Sequence, residues 1–413
     1  MEIKRWTPQG VGEKFVDVAL SMSNIFQEKY DTKTVLASYS DVKATLTGID
    51  AIFKAIEELE KDIAGLTGHP KEYLSAFLTA HKSNLRGVQG DIQPYSQRLW
   101  DRQQLVFNPM PESLKESLEE RLTNALAKKG YKGKISEMVI SYLEDTVLPP
   151  KEVTAFAKKI NDKLRAETLE KVVELPDDEE IIDVKEITGV FWSGFSAYHY
   201  KNKGSLTFNI ERPWSVPTFV NVLSHESYPG HQTYYCLWDH LYLTGRYPIE
   251  ASMFMYNTPT NTLFEGAPEN GLEFLGWLSE EETPWMDSET RETYRIGRDI
   301  QDLHRFVMTK GCYLHHMEGA TAEEAVAYMM GTGFFREIEA KNSARFFTDP
   351  IKCTYYPTYY YGRYLINRAF RLYDINNRKQ FFDTIYRLPQ TNETLIAAVK
   401  EQTGKDFRPF DNI

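Results

Sequence analysis

The segment from Val216 to Cys236 carries the side chains of this chain that are best suited to bind a metal. It contains His225, Glu226 and His231 in apolar and aromatic surroundings. A neutral imidazole is a good zinc ligand, and a glutamate beside a metal site can act as a general base. The segment therefore predicts that His225 and His231 bind a metal, with Glu226 as the base.

The spacing of the two histidines differs from that of the zinc-peptidase motif HExxH, in which they are four residues apart. His225 and His231 are six residues apart, which would place them about 120° apart around a regular helix. Pro229 interrupts a helix and Gly230 accepts unusual dihedral angles. A bulge at Tyr228–Gly230 would therefore return His231 to the side of His225. The alternative is two unrelated histidines on a kinked core helix.

Three glutamates downstream, at positions 265, 269 and 273, are spaced by four residues and would share one stripe of a continuous helix. Pro268 instead favours a break or a helix start within this segment. A solvated helix face is one interpretation of the stripe. In the other, Glu265 is the third metal ligand, which leaves one coordination position open. Glu269 would then orient a ligand histidine from behind.

The remaining pattern indicates the elements that position these residues. Residues 12–170 have helical periodicity almost throughout, residues 174–180 form an acidic stretch typical of a solvated loop, and residues 190–211 favour a β-hairpin or short sheet. We predict a mainly α fold, a single large helical body with a central cleft and a small β-hairpin or sheet beside the metal-site helix. Residues 1–413 would form one domain, with a helical N-terminal part (1–183) and a metal-site part (184–413).

Composition excludes several classes of function. The net charge of −11 over 413 residues argues against nucleic acid as a partner, because a phosphate backbone requires a basic surface. Three widely spaced cysteines without a CxxC pair are typical of a reducing compartment. No signal peptide is visible, and no apolar stretch approaches the roughly 20 residues of a membrane span. We therefore expect a cytoplasmic protein without membrane partners, and the oligomeric state stays open.

The sequence His225–His231, HESYPGH, resembles the HExxPGH motif of a metallopeptidase-like family known as domain of unknown function 885. That family is similar to the Taq-type zinc carboxypeptidases, so the resemblance implies a zincin-like helical fold. It covers roughly residues 187–370. Glu265-Gly266-Ala267 stands where the family has Glu-Gly-Trp, and this match also implies that Glu265 is a ligand.

The resemblance extends, with departures, to four other residues. It implies that Tyr356, with His316, stabilises an oxyanion, and that Arg345 and Asn209 contact the substrate. Arg345 could equally form a structural ion pair. The departures are Gln232 in place of a second histidine, Ala267 in place of tryptophan, and Pro350-Ile351-Lys352 in place of Pro-Gly-Gln. The resemblance therefore does not indicate substrate specificity.

These observations predict a hydrolase that binds one Zn²⁺ ion through His225, His231 and Glu265. Its substrate would be an amide bond of a small peptide, cleaved as in a metallo-carboxypeptidase or an oligopeptidase. Mn²⁺ or Co²⁺ would also suit these ligand types. Two alternatives remain open: a metal-dependent enzyme acting on a non-peptide amide or small metabolite, and a non-catalytic helical binding protein that retains a relic of the site.

Overall fold

The computed structural model describes residues 4–190, 194–405 and 407. Helices dominate the described chain, and three single-turn 3₁₀ segments connect some of them, at Pro150–Glu152, Ile249–Ala251 and Pro268–Asn270. The α-helices are α1 Val11–Tyr30, α2 Ile49–Asp62, α3 Gly68–Gln89, α4 Tyr95–Gln103, α5 Glu112–Lys128, α6 Ile135–Asp145, α7 Val153–Lys171, α8 Val216–Glu226, α9 His231–Leu243, α10 Asn261–Gly266, α11 Gly271–Phe274, α12 Ser288–Met317, α13 Ala322–Gly331, α14 Glu337–Thr348, α15 Thr358–Phe370, α16 Arg378–Arg387 and α17 Asn392–Thr403.

Five short strands form two small sheets. The strands are β1 Val35–Ser38, β2 Glu180–Ile187, β3 Gly194–Tyr198, β4 Lys203–Asn209 and β5 Met253–Met255. β3 and β4 form an antiparallel hairpin, and β2 lies parallel to β4 on its other side. β1 pairs antiparallel with β5. The structure thus confirms the predicted mainly α fold with a small sheet, and β3 packs against α8 as expected for a hairpin beside the site.

Sequence analysis missed three strands: β1 and β5 are short, and β2 is highly charged. β1 interrupts the N-terminal region that was predicted to be helical almost throughout. β2 begins at Glu180, the last residue of the predicted acidic loop, and its alternation is obscured by four charged residues. Each of these strands pairs with a strand that is not its neighbour in the chain, so local periodicity does not reveal them.

The buried apolar side chains form one cluster that runs from Phe15 to Phe407. Helix α2 shows how its members arise: Ile52, Ile56 and Leu59 recur at helical spacing and are fully buried. Among the described residues, no helix combines the length and the apolar character that crossing a membrane requires.

Two close helix crossings set the position of the elements around the site. A Cβ atom on Gly266 of α10 would lie 2.4 Å from the carbonyl oxygen of Gly362 in α15, so the two backbones are in direct contact. A Cβ atom on Gly297 of α12 would lie 2.0 Å from the carbonyl oxygen of Pro217 in α8. Because only glycine permits this approach, α10 and α15 meet at one fixed point and α8 and α12 at another.

Side chains from the N-terminal helices hold the loop that precedes α10. Asn84 of α3 donates to the carbonyl oxygen of Asn257 at 3.0 Å, and Gln103 of α4 donates to Asn261 Oδ1 at 3.3 Å. Thr262 donates in turn to the carbonyl oxygen of Gln103 at 3.4 Å. The start of α10 is therefore fixed by residues that lie more than 150 positions earlier in the chain.

Candidate metal centre

His225 and His231 lie side by side because the chain breaks between two helices. α8 ends at Glu226 and α9 begins at His231, and the two imidazole ring centroids are 4.6 Å apart. A Cβ atom on Gly230 would lie 1.9 Å from the carbonyl oxygen of His225, so the turn closes only with glycine at this position. The predicted bulge within one helix is thus wrong in form, but the interruption by Pro229 and Gly230 has the predicted effect.

Glu265 completes a buried group of three potential ligands. Its Oε2 atom lies 3.2 Å from His225 Nε2 and 3.7 Å from His231 Nε2. The potential ligand atoms of the three residues all lie within 4.8 Å of one another. Glu265 is 2% exposed, so the alternative of a solvated glutamate face does not apply to it.

Tyr355 fixes which oxygen of Glu265 faces the imidazoles. Its buried hydroxyl donates to Glu265 Oε1, and Oε2 has no hydrogen-bond donor among the described residues. Burial alone would raise the pKa of Glu265, but His231, His225 and the Tyr355 hydroxyl hold it below its usual value. Glu265 is therefore a carboxylate with one satisfied oxygen and one free to bind a cation.

Glu269 lies behind His225, as predicted. Its Oε1 atom is 3.5 Å from His225 Nδ1 and accepts from Arg305 Nη2 at 2.6 Å, while Oε2 accepts from Arg298 at 3.3 Å and from Gln301 at 3.1 Å. Although burial opposes it, the charges of Arg305, His225 and Arg298 lower the pKa of Glu269 to about 2. Glu269 is therefore an anion that can accept from the Nδ1–H of His225 and present Nε2 toward Glu265.

The two histidines differ in their electrostatic surroundings. Burial would lower the pKa of His225, but Glu265 and Glu269 outweigh it and raise that pKa. Burial lowers the pKa of His231 to about 3, so this imidazole is neutral near pH 7. A neutral imidazole is the form that binds a metal.

Glu226 is the carboxylate next to the cluster that is partly accessible to solvent. Burial of its carboxyl group raises its pKa to about 7, with further contributions from Glu265 and Glu269 and a lowering effect of His225 and of the Ser196 backbone. Ser196 belongs to β3, so the strand beside α8 contributes directly to the environment of this side chain. A carboxyl group with a pKa near 7 can both accept and return a proton.

The residues present fit a zinc ion. Zinc in hydrolytic sites takes three nitrogen or oxygen ligands at about 2.0–2.2 Å, which places tetrahedral ligand atoms roughly 3.3 Å from one another. The separations of 3.2 and 3.7 Å between Glu265 Oε2 and the two Nε2 atoms are close to that value. Two imidazoles and one carboxylate, backed by Glu269, form a suitable donor set.

Two tyrosines that sequence analysis did not single out as site residues line the cluster. The ring of Tyr359 stacks on His225 with centroids 6.1 Å apart, and that of Tyr256 packs edge-on against Tyr355 at 4.8 Å. Both are partly exposed. Burial raises the pKa of each hydroxyl, and the charges of Glu265 and Glu226 raise it further. Both hydroxyls are therefore neutral donors close to the accessible carboxylate.

The structure does not bring Tyr356 or His316 to the cluster in the described part of the chain. Tyr356 packs against Phe346 and Phe347, with ring centroids 5.2 and 5.7 Å away. His316 stacks on Tyr95 at 3.9 Å, and its Nε2 atom lies 2.7 Å from the carbonyl oxygen of Phe347. These contacts are with residues outside the cluster, and the role of Tyr356 and His316 as oxyanion donors stays a prediction.

Arg345 and Asn209, the predicted substrate contacts, belong to α14 and to the end of β4, and their role stays a prediction. Arg345 lies on the exposed face of α14. Asn209 ends β4, where its Nδ2 donates to the carbonyl oxygen of Val190 at 2.8 Å and its Oδ1 accepts from the backbone N–H of Glu211 at 3.0 Å. Asn209 therefore shapes the turn that follows the hairpin.

Glu179 of the predicted solvated loop is instead buried beneath the histidine turn. It is 4% exposed and accepts from Tyr228, from Gln232 at 2.9 Å and from Arg165 at 3.0 Å. A Cβ atom on Gly204 would lie 2.0 Å from the Gln232 side chain, so β4 packs directly on the start of α9. Gln232, a departure from the family pattern, is therefore a packing residue that anchors this turn.

Comparisons with known proteins show the fold alone. No family model matches the chain, and no curated protein matches it. A "putative lipoprotein" from Colwellia psychrerythraea has a similar structure, with a TM-score of 0.57 and 15% identity over 92% of this chain and 66% of that one. A "putative lipoprotein of unknown function" from Shewanella oneidensis has a TM-score of 0.50 and 15% identity, over 86% of this chain and 71% of that one. The chain thus spans 66% of the first of these proteins.

Proposed function

We propose that this protein is a zinc-dependent hydrolase that cleaves amide bonds of small peptides. One observation carries the proposal: the potential ligand atoms of His225, His231 and Glu265 lie within 4.8 Å of one another, and Glu226 lies next to them in sequence and in space. The resemblance to the HExxPGH family supports the same reaction. The similarity to the two solved structures supports the fold and no particular activity.

The three ligands and their supporting residues would hold the metal rigidly. Tyr355 donates a hydrogen bond to Glu265, and Glu269 Oε1 lies 3.5 Å from His225 Nδ1, so both ligands have a polar neighbour on the side away from the cluster. A bound zinc ion would supply Lewis acidity, which polarises a carbonyl group and makes water a better nucleophile.

Glu226 is the proton carrier of the proposed reaction. It accepts a proton from the attacking water and passes that proton to the amine that leaves, so the carboxyl group is regenerated after each cycle. Burial raises the pKa of Glu226 above its usual range, which makes this carboxylate a stronger base for the first step.

Tyr359 and Tyr256 are the candidate donors to the oxygen of the scissile carbonyl as it becomes negatively charged. Their hydroxyls stay protonated at neutral pH, because burial and the nearby carboxylates raise both pKa values. Removal of one such donor in other enzymes lowers kcat by about 10²–10³. We therefore propose Tyr359 and Tyr256 for this role, in place of Tyr356 and His316.

The proposal is tested with purified full-length protein and a peptide library whose products are identified by mass spectrometry. We expect about one equivalent of zinc by elemental analysis, cleavage of short peptides, loss of cleavage with a chelator, and recovery when zinc is restored. Retention of zinc without cleavage of any peptide would shift the proposal to a non-peptide amide or a small metabolite. Failure to retain any transition metal would leave the non-catalytic alternative.

A further inference from the structure

We propose that Arg305 is a positioning residue that couples the ring of Tyr359 to the orientation of His225. The guanidinium group of Arg305 contacts both Glu269 and Tyr359. Each of these two residues also lies beside His225. The inference rests on the proposed function only in that His225 is taken to bind a metal. It assigns a role to Arg305 that neither the motif nor the family resemblance indicates.

The edge of the guanidinium holds the carboxylate behind His225. Arg305 Nε and Nη2 both donate to Glu269 Oε1, at 3.2 and 2.6 Å. The same oxygen lies 3.5 Å from His225 Nδ1. A shift of the guanidinium would therefore move the carboxylate oxygen that lies beside the imidazole.

The face of the same guanidinium rests on an aromatic ring. The Arg305 Cζ atom lies 4.3 Å from the centroid of Tyr359, within the range of a cation–π contact. Tyr359 in turn stacks on His225, with an interplanar angle of 22°. Because a guanidinium is planar, it can bind a carboxylate with its edge and an aromatic ring with its face simultaneously, which a lysine ammonium cannot do.

Arg298 provides an internal comparison. It also binds Glu269, through Nη2 to Oε2 at 3.3 Å and through Nη1 to the carbonyl oxygen at 2.9 Å, and it pairs with Asp302. Its contacts in the described structure include Glu269 but not Tyr359. Arg298 and Arg305 therefore share the electrostatic effect on Glu269, and only Arg305 connects it to the tyrosine.

The arrangement separates two properties of Tyr359. Its hydroxyl would act on the substrate, whereas its ring face would restrain Arg305 and, through Glu269, the metal-binding imidazole. Loss of the ring should therefore weaken zinc binding even though Tyr359 is not a ligand. Loss of the hydroxyl alone should not.

The test measures zinc affinity by competition with a chromophoric chelator, and needs no substrate. We expect Tyr359→Leu to weaken zinc binding about tenfold, the lower end of the effect of residues that support metal ligands, and Tyr359→Phe to stay within about twofold of the parent. In an Arg305→Lys background, Tyr359→Leu should add less than about twofold, because the link is already broken. In an Arg298→Lys background it should still weaken binding about tenfold.

Equal effects of Tyr359→Leu in the parent and in both lysine backgrounds would overturn the coupling, as would unchanged zinc affinity in Arg305→Lys. Circular dichroism checks that each variant is folded. If Arg305→Lys does not fold, Arg305→Gln replaces it in the same comparison of single and double variants. If these variants behave as expected in a protein that hydrolyses no peptide, the peptide substrate of the proposed function is refuted and the coupling stands.

Discussion

The hydroxyl of Tyr355 donates to Oε1 of Glu265 and leaves Oε2 of that carboxylate facing two imidazoles. This contact fixes the rotation of the carboxylate, which would otherwise present either oxygen. In the proposed metal centre, a carboxylate restrained in this way would need no reorganisation to bind zinc, so Tyr355 would contribute to affinity without touching the ion.

We expect Tyr355→Phe to weaken zinc binding by about 10–100-fold, because Glu265 loses the donor that orients it. Tyr356→Phe is the matched control, since its ring packs against Phe346 and Phe347 away from the ligands. Chelator competition measures both variants. Equal zinc affinity of Tyr355→Phe and the parent would show that the hydrogen bond does not orient the ligand.

Tyr359→Phe should lower kcat by about 10²–10³ and leave KM and zinc content nearly unchanged, because only a donor to the developing oxyanion is lost. Tyr356→Phe should keep kcat close to that of the parent. Steady-state kinetics on a cleaved peptide distinguishes the two. A large loss for Tyr356→Phe with none for Tyr359→Phe would restore the assignment made from the sequence.

Glu226→Gln should lower kcat by at least about 10²–10⁴, the usual contribution of a general acid–base group, and retain zinc. The substitution keeps the size of the side chain and removes its ability to carry a proton. Activity and elemental analysis of the same preparation are compared. A kcat within tenfold of the parent would refute the assignment of Glu226 as the base.

Gly266→Ala should lower the free energy of unfolding by about 1–3 kcal/mol, because the added methyl group would overlap the backbone of α15 at Gly362. It should also weaken zinc binding, since Glu265 precedes this crossing. Gly331→Ala, where a Cβ atom meets nothing within 4 Å, is the control and should be neutral or stabilising by up to about 1 kcal/mol. Urea unfolding measures both, and equal stabilities would contradict the tight crossing.

His81 should make the stability of the protein depend on pH. Its ring lies 6.0 Å from both Phe15 and Phe77, and burial lowers its pKa to about 4 from about 6.5 in an unfolded chain. The unfolded state therefore binds more protons between these values, so the stabilising contribution is complete above pH 6.5 and is lost as the pH falls toward 4. Between pH 7.5 and pH 5, protonation linked to His81 should lower the free energy of unfolding by about 2 kcal/mol.

The corresponding measurement is urea unfolding at both pH values with a chelator present, so that release of metal does not contribute. His81→Leu should lose about 2 kcal/mol less than the parent over this interval. The same pH dependence in both proteins would mean that His81 is not the group responsible.

The structure confirms the predicted mainly α fold with a small sheet, and it brings together four residues of the candidate centre that the sequence singled out. His225, His231 and Glu265 were identifiable because ligand chemistry and the Pro-Gly interruption are both local signals. Glu269 was identifiable because its spacing from Glu265 is short. These four residues need little information from distant parts of the chain.

The features that sequence analysis did not predict depend on contacts between distant segments. Tyr355, Tyr356 and Tyr359 lie in one tyrosine-rich stretch, and which of these rings stacks on His225 depends on tertiary packing. Glu179 has the sequence surroundings of a loop, and its burial follows from Tyr228, Gln232 and Arg165. Periodicity does not contain this information.

The hydrogen bonds from Asn84 and Gln103 to the segment before α10 mean that the two parts of the chain, before and after residue 183, cannot be separated without consequence. A fragment that starts at residue 184 would retain every proposed ligand and yet leave Asn257 and Asn261 without these partners, and β5 without β1. Preparations for metal analysis therefore require the complete chain, since a shortened one would report weak binding for reasons unrelated to its histidines.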